Sequence, residues 1–140
     1  MAIPKSIRLE FVTPERSIAH TDVDEVELPG EEGFFAVLPG HAPLLAALKT
    51  GPIRYLAGGA QHYAFIGGGF AEVTADRVSV LAVVAERAED IDLARAEAAK
   101  RRAEDLLARP TTDIDTEKAK IAMIRAIERI QVAKFIRTRG

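Results

Sequence analysis

Ala88-Glu89-Asp90-Ile91-Asp92-Leu93-Ala94-Arg95-Ala96 is where the character of this chain changes. Upstream, short β-branched and aromatic runs are broken by Gly, Pro and Asp. Downstream there is a single proline and no glycine before Gly140, and apolar residues recur at helical spacing. The segment also sets Asp92 and Arg95 three residues apart at the start of the first helical pattern, which puts both side chains on one face. The chain reads as two parts, 1–87 rich in strands and 88–140 helical, with an acid and a base close to the joint.

Moving toward the N-terminus, the upstream part resolves into strands. Ile7-Arg8-Leu9-Glu10-Phe11-Val12 alternates apolar and polar residues, the pattern of a half-buried strand. Val23–Leu28 ends at Pro29-Gly30, Phe34–Leu38 at Pro39-Gly40, Ile53–Leu56 at Gly58-Gly59, and His62–Ile66 at three glycines. Phe70–Val73 and Val78–Val84 flank the turn-like Thr74-Ala75-Asp76-Arg77. At least seven short strands with no helix between them predict an antiparallel β-sandwich or flattened barrel, with Gly67-Gly68-Gly69 as a tight strand connection.

Moving toward the C-terminus, Leu93, Ala96, Ala99, Ala103 and Leu107 follow steps of three and four, one helical stripe from Asp92 to about Arg109. Pro110-Thr111-Thr112-Asp113 breaks that helix, and Asp113 or Asp115 caps a second running from about Thr116 to Ile136. Two helices of similar length with a short break predict an antiparallel hairpin. Many of its contacts fall on alanine, so each buries little apolar area and the hairpin is held weakly.

Composition narrows the function. With 48% hydrophobic and 29% charged residues, the chain has enough apolar material for a core and is not of disordered type. The absence of cysteine excludes disulfides and thiolate chemistry. The longest apolar run, Val78–Ala85 with Ser79 inside it, is far short of a membrane span. Met1–Lys5 lacks the apolar centre of a secretion signal. We expect a soluble, cytosol-facing protein that can still dock on a membrane complex. Residues 1–89 carry seven Lys/Arg against twelve Asp/Glu, whereas Glu117 to Gly140 carries seven against two, a net +5. That tail is either a solvated helix face or a basic arm suited to an acidic surface. Nucleic acid is a poor match for such a surface, since Phe135 is the only aromatic nearby and no binding motif is present.

Signs of catalysis are lacking. Gly67-Gly68-Gly69 lies between strands and lacks the lysine and serine of a phosphate loop. His20, His41 and His62 fall on separate elements without metal-ligand spacing, and Ser6, Ser17 and Ser79 lack a nucleophile elbow.

Gly30-Glu31-Glu32-Gly33, followed by Leu38-Pro39-Gly40-His41-Ala42-Pro43-Leu44-Leu45, is more specific. This run resembles the epsilon subunit of bacterial and chloroplast F-type ATP synthases, the counterpart of mitochondrial delta. The likeness continues through Phe65-Ile66-Gly67-Gly68-Gly69-Phe70-Ala71-Glu72-Val73, Ala85–Asp92 and Ala98–Glu104, covering essentially the whole chain. The resemblance implies a ten-stranded sandwich followed by a two-helix hairpin, in a non-catalytic rotor subunit of a proton-translocating enzyme. It implies peripheral attachment on the cytoplasmic side of the inner membrane, with the gamma subunit, the c-ring and, for an extended hairpin, the catalytic beta subunits as partners.

Residue by residue, the resemblance points Glu31, Glu32 and Phe34 to the c-ring, and His41, Ala42, Pro43, Leu44, Leu45 and Ala46 to gamma. Phe34 stands where the family often has an acid and Ala36 where it has glycine, so an apolar c-ring contact is implied there. Ile91-Asp92-Leu93-Ala94-Arg95-Ala96 resembles the motif by which some members hold ATP, with Arg125 and Arg129 matching on the second helix and Glu86 toward adenine. No cofactor is required, and ATP is implied as a regulatory ligand, guanidinium groups being suited to phosphate. A plainer reading has Asp92 capping the helix and Arg95 in a salt bridge. Lys118, Lys120, Lys134 and Arg137 are the candidate cations of an inhibitory helix. The alternative reading is a free-standing nucleotide-sensing module that needs no gamma subunit.

Overall fold

The computed structural model describes residues 3–109 and 112–137, with the side chain of Arg137 excepted. Eight strands come first: β1 (Ile7–Val12), β2 (Ser17–Val23), β3 (Glu25–Gly30), β4 (Gly33–Val37), β5 (Leu44–Ala57), β6 (Ala60–Val73), β7 (Arg77–Ala82) and β8 (Ala85–Arg87). A 3-10 turn at Ala88–Asp90 leads to α1 (Leu93–Leu107) and α2 (Asp113–Arg137). The chain divides into two compact units, Met1–Arg87 and Ala88–Gly140.

The first unit is a β-sandwich with strand order β2-β1-β7-β6-β5-β3-β4, and β8 pairs with β6 beside that path. Among the described residues the sheet does not close on itself, so it is an open sandwich rather than a barrel. Neighbours are antiparallel except β1 and β7, which run parallel. A parallel pair needs a long crossover, and here everything from β2 to β6 supplies it.

Alternation builds the core. Ile7, Leu9 and Phe11 of β1 are fully buried while Arg8, Glu10 and Val12 are half-buried. Val26 and Leu28 from β3, Ile53 from β5, Ile66 from β6 and Val78 and Val80 from β7 complete one cluster. No polar or charged residue is buried among the described residues. On the solvent side, Arg54 of β5 lies 3.4 Å from both Glu25 and Glu27 of β3. Burial alone would lower its pKa, but the hydrogen bond to Glu27 and the two carboxylate charges outweigh that and raise it. At the far end of the unit, Arg87 Nε donates to the Ile18 carbonyl at 2.9 Å, tying β8 to β2.

Several expectations change. Among the described residues eight strands replace the ten implied by resemblance, because β5 and β6 run 14 residues each and do the work of shorter pieces. The C-terminal half of β6 pairs with β7 and its N-terminal half with β8. Gly67–Gly69 is therefore not a connection but a kinked stretch inside β6. A Cβ at Gly69 would collide with the Leu81 carbonyl, so β6 and β7 approach there only over glycine.

In the second unit α1 and α2 pack on each other, but they have 15 and 25 residues and are not of similar length. The cap of α2 is Thr112, whose Oγ1 accepts the Asp115 amide at 3.1 Å. Asp113 and Asp115 occupy the first turn instead, where negative charge suits the helix dipole. Pro110 and Thr111 of the expected break lie outside the described residues. Ala96 and Ala103 on α1, and Ala119, Ala126 and Ala133 on α2, are buried at steps of seven. Leu107, expected in the same stripe, is 37% exposed.

Candidate functional site

Three surfaces hold the residues singled out in the sequence. The first is the turn between β3 and β4. Gly30 and Gly33 face each other in the pairing register. A Cβ on Gly30 would sit 2.7 Å from the Gly33 carbonyl, and Gly33 has φ +134, so glycine is needed at both corners. Glu31 and Glu32 are exposed at the tip, and the Glu31 amide donates to the Ala47 carbonyl of β5 at 3.0 Å. Phe34 follows, 52% exposed, with Lys49 Nζ 5.8 Å from its ring centroid, within cation–π range.

The second surface begins at His41. Its amide donates to the Leu38 carbonyl at 3.1 Å and its Nδ1 donates to the Ala42 carbonyl at 2.6 Å, fixing the bend before β5. Ala42, Pro43, Leu44 and Leu45 are exposed and Ala46 is half-buried. A cleft of about 550 Å³ has Glu31, Glu32 and Phe34 on one wall and Leu44, Leu45 and Ala46 on the other. The two stretches that resemblance assigns to different partners thus share one cleft.

From Leu45 an apolar face spreads over the outside of the sandwich, and sequence reasoning missed it. Cross-strand register sets Ala47, Phe70, Leu81 and Val12 in one row over β5, β6, β7 and β1. The neighbouring row is Leu45, Glu72, Ser79 and Glu10. Leu45, Phe70 and Leu81 are 72%, 58% and 61% exposed. The signal was present: Phe70 alternates with the buried Ala71, and Leu81 with the buried Val80 and Ala82, so these strands are apolar on both faces. Contiguous exposed apolar side chains of this kind mark interaction surfaces.

The third surface is in the helical unit. Asp92 Oδ1 accepts the Arg95 amide at 3.1 Å, so Asp92 is the N-cap of α1. Arg95 is exposed and makes no ion pair among the described residues, which removes the expected salt bridge. Ile91 is half-buried and Ala96 buried. Arg125 and Arg129 stand one turn apart on α2, and Arg125 Nε is buried without a hydrogen-bond partner among the described residues. Arg129 is partnered. Glu86 lies on β8, in the sandwich unit, opposite Phe65 in register, and it too is partnered.

The expected inhibitory cations do not form one row. Lys118 lies on one side of α2, whereas Lys120 and Lys134, fourteen apart, share another. Lys120 Nζ is 3.5 Å from Glu117 Oε1, and the side chain of Arg137 lies outside the described residues. Ile114, Ile121 and Ile124 add an exposed apolar stripe to the same helix.

Comparison with known proteins covers both units. Residues 6–88 match the family described as ATP synthase, Delta/Epsilon chain, beta-sandwich domain, and residues 89–134 match its long alpha-helix domain. The chain is 49% identical over 128 residues to the ATP synthase epsilon chain of Nitratidesulfovibrio vulgaris, covering 91% of this chain and 96% of that one. It is 44% identical over 131 residues to the epsilon chain of Solibacter usitatus, covering 94% and 98%. Its fold resembles a chain of the Euglena gracilis mitochondrial ATP synthase OSCP/F1/c-ring assembly, with TM-score 0.82 and 25% identity over 91% of this chain and 81% of that chain. Two family domains in order, near-full coverage by relatives and an agreeing fold give one conclusion: the chain belongs to the ATP synthase delta/epsilon-chain family.

Proposed function

We propose that this protein is a non-catalytic rotor subunit of a proton-translocating F-type ATP synthase. It sits peripherally on the cytoplasmic side of the membrane, held by its sandwich to the gamma subunit and the c-ring. Its helices restrain ATP hydrolysis, with ATP as a regulatory ligand. The observation that carries this reading is the apolar outer face of the sandwich, continuous through Leu45 with the cleft at Glu31, Glu32 and Phe34. A protein working alone has no reason to keep Leu45, Phe70 and Leu81 in water. Among the described residues no helix is long and apolar enough to cross a membrane, so attachment by this route goes through other subunits.

The helical unit supplies the regulatory half. A helix with Lys118 on one side, Lys120 and Lys134 on another, and isoleucines exposed between them suits an acidic surface of a catalytic subunit. Arg125, whose buried Nε has no partner among the described residues, and Arg95, which makes no ion pair among them, suit phosphate oxygens. A ligand that binds only the closed hairpin stabilises it by about 2.7 kcal/mol at a hundredfold excess over its dissociation constant. Scarce ATP would release the hairpin and abundant ATP would hold it shut.

The test is co-purification of the full chain with the gamma subunit from the same genome. A stable complex is expected, and Leu45→Glu together with Leu81→Glu should abolish it while leaving the circular-dichroism spectrum unchanged. A wild-type chain that binds ATP yet ignores gamma would replace this reading with the free-standing sensor.

A further inference from the structure

The outer face of the sandwich carries one group that its surroundings do not explain. Glu72 stands in register between Leu45 and Ser79, with Phe70 two residues before it on the same face. It lines a hollow of about 220 Å³ whose apolar walls are Val12, Leu45, Phe70 and Leu81. The other acid of the hollow, Glu10, already has a cation: Arg77 Nη1 lies 3.7 Å from its Oε1, with His20 Nδ1 also near at 3.9 Å. Among the described residues Glu72 has no ion pair and no hydrogen bond from its side chain.

In the free chain this costs little, because Glu72 is exposed and hydrated. Covering Leu45, Phe70 and Leu81 with a partner removes that water from the sides of the carboxylate that face them. A charge desolvated without a counterion opposes binding strongly, so a partner that seals this face must bring a cation to it. Charge complementarity of this kind selects partner and register more than it adds affinity.

We propose that the hollow receives an aliphatic side chain of the gamma subunit, with a lysine or arginine of the same segment set against Glu72. Glu72 is then the residue that fixes the register of docking, and the apolar walls supply the hold. This rests on the reading that gamma docks on this face, which can fail separately.

The experiment titrates the full chain with the gamma subunit at about 50 mM and about 500 mM NaCl, where screening differs strongly. Glu72→Lys should bind at least about tenfold more weakly at low salt, and the deficit should shrink at high salt. Glu72→Gln, which keeps shape and removes charge, should show a flatter salt dependence than the wild type. Phe70→Ser should lose binding at both salt concentrations. If Glu72→Lys and Glu72→Gln bind like the wild type while Phe70→Ser does not, the ion pair is refuted and the docking face stands. If Phe70→Ser also binds normally, the docking face itself is wrong and the proposal falls with it.

Discussion

The sandwich and the hairpin bury apolar residues by opposite means. The sandwich core is made of large side chains, with Phe11, Ile7, Leu9, Ile18, Leu28 and Ile53 almost completely buried. Apart from Val132, the helices of the hairpin bury alanines at steps of seven, Ala96 and Ala103 on one helix and Ala119, Ala126 and Ala133 on the other. Alanine lets helices approach closely but contributes little transfer free energy, at about 25 cal/mol per Å². The difference teaches that the two parts of the chain are held to very different degrees. On the function proposed above, the firmly packed unit presents the docking face and the lightly held unit is the one free to change state.

Substitutions can break or sharpen this contrast, beginning with the largest effect. Phe11→Ala removes a fully buried aromatic ring from the centre of β1 and should destabilise the sandwich by about 3–5 kcal/mol. Chemical denaturation followed by far-ultraviolet circular dichroism would read it, and a loss below about 1 kcal/mol would mean the core is not the anchor described. No such sensitivity is expected at any single site of the hairpin.

Arg125→Ala should weaken ATP binding by about 1.5–3 kcal/mol, the range for a hydrogen bond to a charged group. Calorimetric titration measures it, with amide shifts at residues 86–96 and 125–129 as the companion readout. A wild-type chain with no ATP-dependent shifts there would leave Arg125 a structural residue. Ala103→Leu overfills the alanine contact and should cost the hairpin about 1–3 kcal/mol. Hydrogen exchange should quicken in α1 and α2 while the strands stay protected. Equal loss of protection in both units would contradict their independence.

Asp92→Ala has the smallest expected effect, about 1 kcal/mol for a lost N-cap. Asp92→Asn should restore most of that, since asparagine caps as well as aspartate. If Asn restores helix stability but not ATP binding, the charge at Asp92 serves the ligand as well as the helix.

The sequence made the fold class readable because periodicity changes from two to about 3.6 at residues 88–96, and that change depends on local pattern alone. Strand Ile7–Val12 and helix Leu93–Leu107 emerge close to the expected places for this reason. β2 escaped notice because Ser17-Ile18-Ala19-His20-Thr21-Asp22-Val23 is largely polar and buries only Ile18 and Val23. The continuity of β6 through Gly67–Gly69 was hidden because it depends on the approach of β7, a contact between residues distant in sequence. The exposed turn at Glu31 and Glu32 was legible from its two glycines. The apolar face at Phe70 and Leu81 left a signal but an ambiguous one, because in a single strand a two-sided apolar pattern reads equally as deep burial. Asp92 was legible as a cap, whereas the unpartnered Nε of Arg125 is a property of packing.

The most direct test of this division of labour is the affinity for gamma of a chain ending at Arg87, measured beside the full chain. Arg87 closes the sandwich through its bond to the Ile18 carbonyl, and the exposed residues proposed for docking, Leu45, Phe70 and Leu81, all precede it. The shortened chain should give a dispersed amide spectrum and bind gamma within about threefold of the full chain, because less than about 1 kcal/mol separates them. A shortened chain that folds but does not bind gamma would contradict the account, since docking would then require the helices.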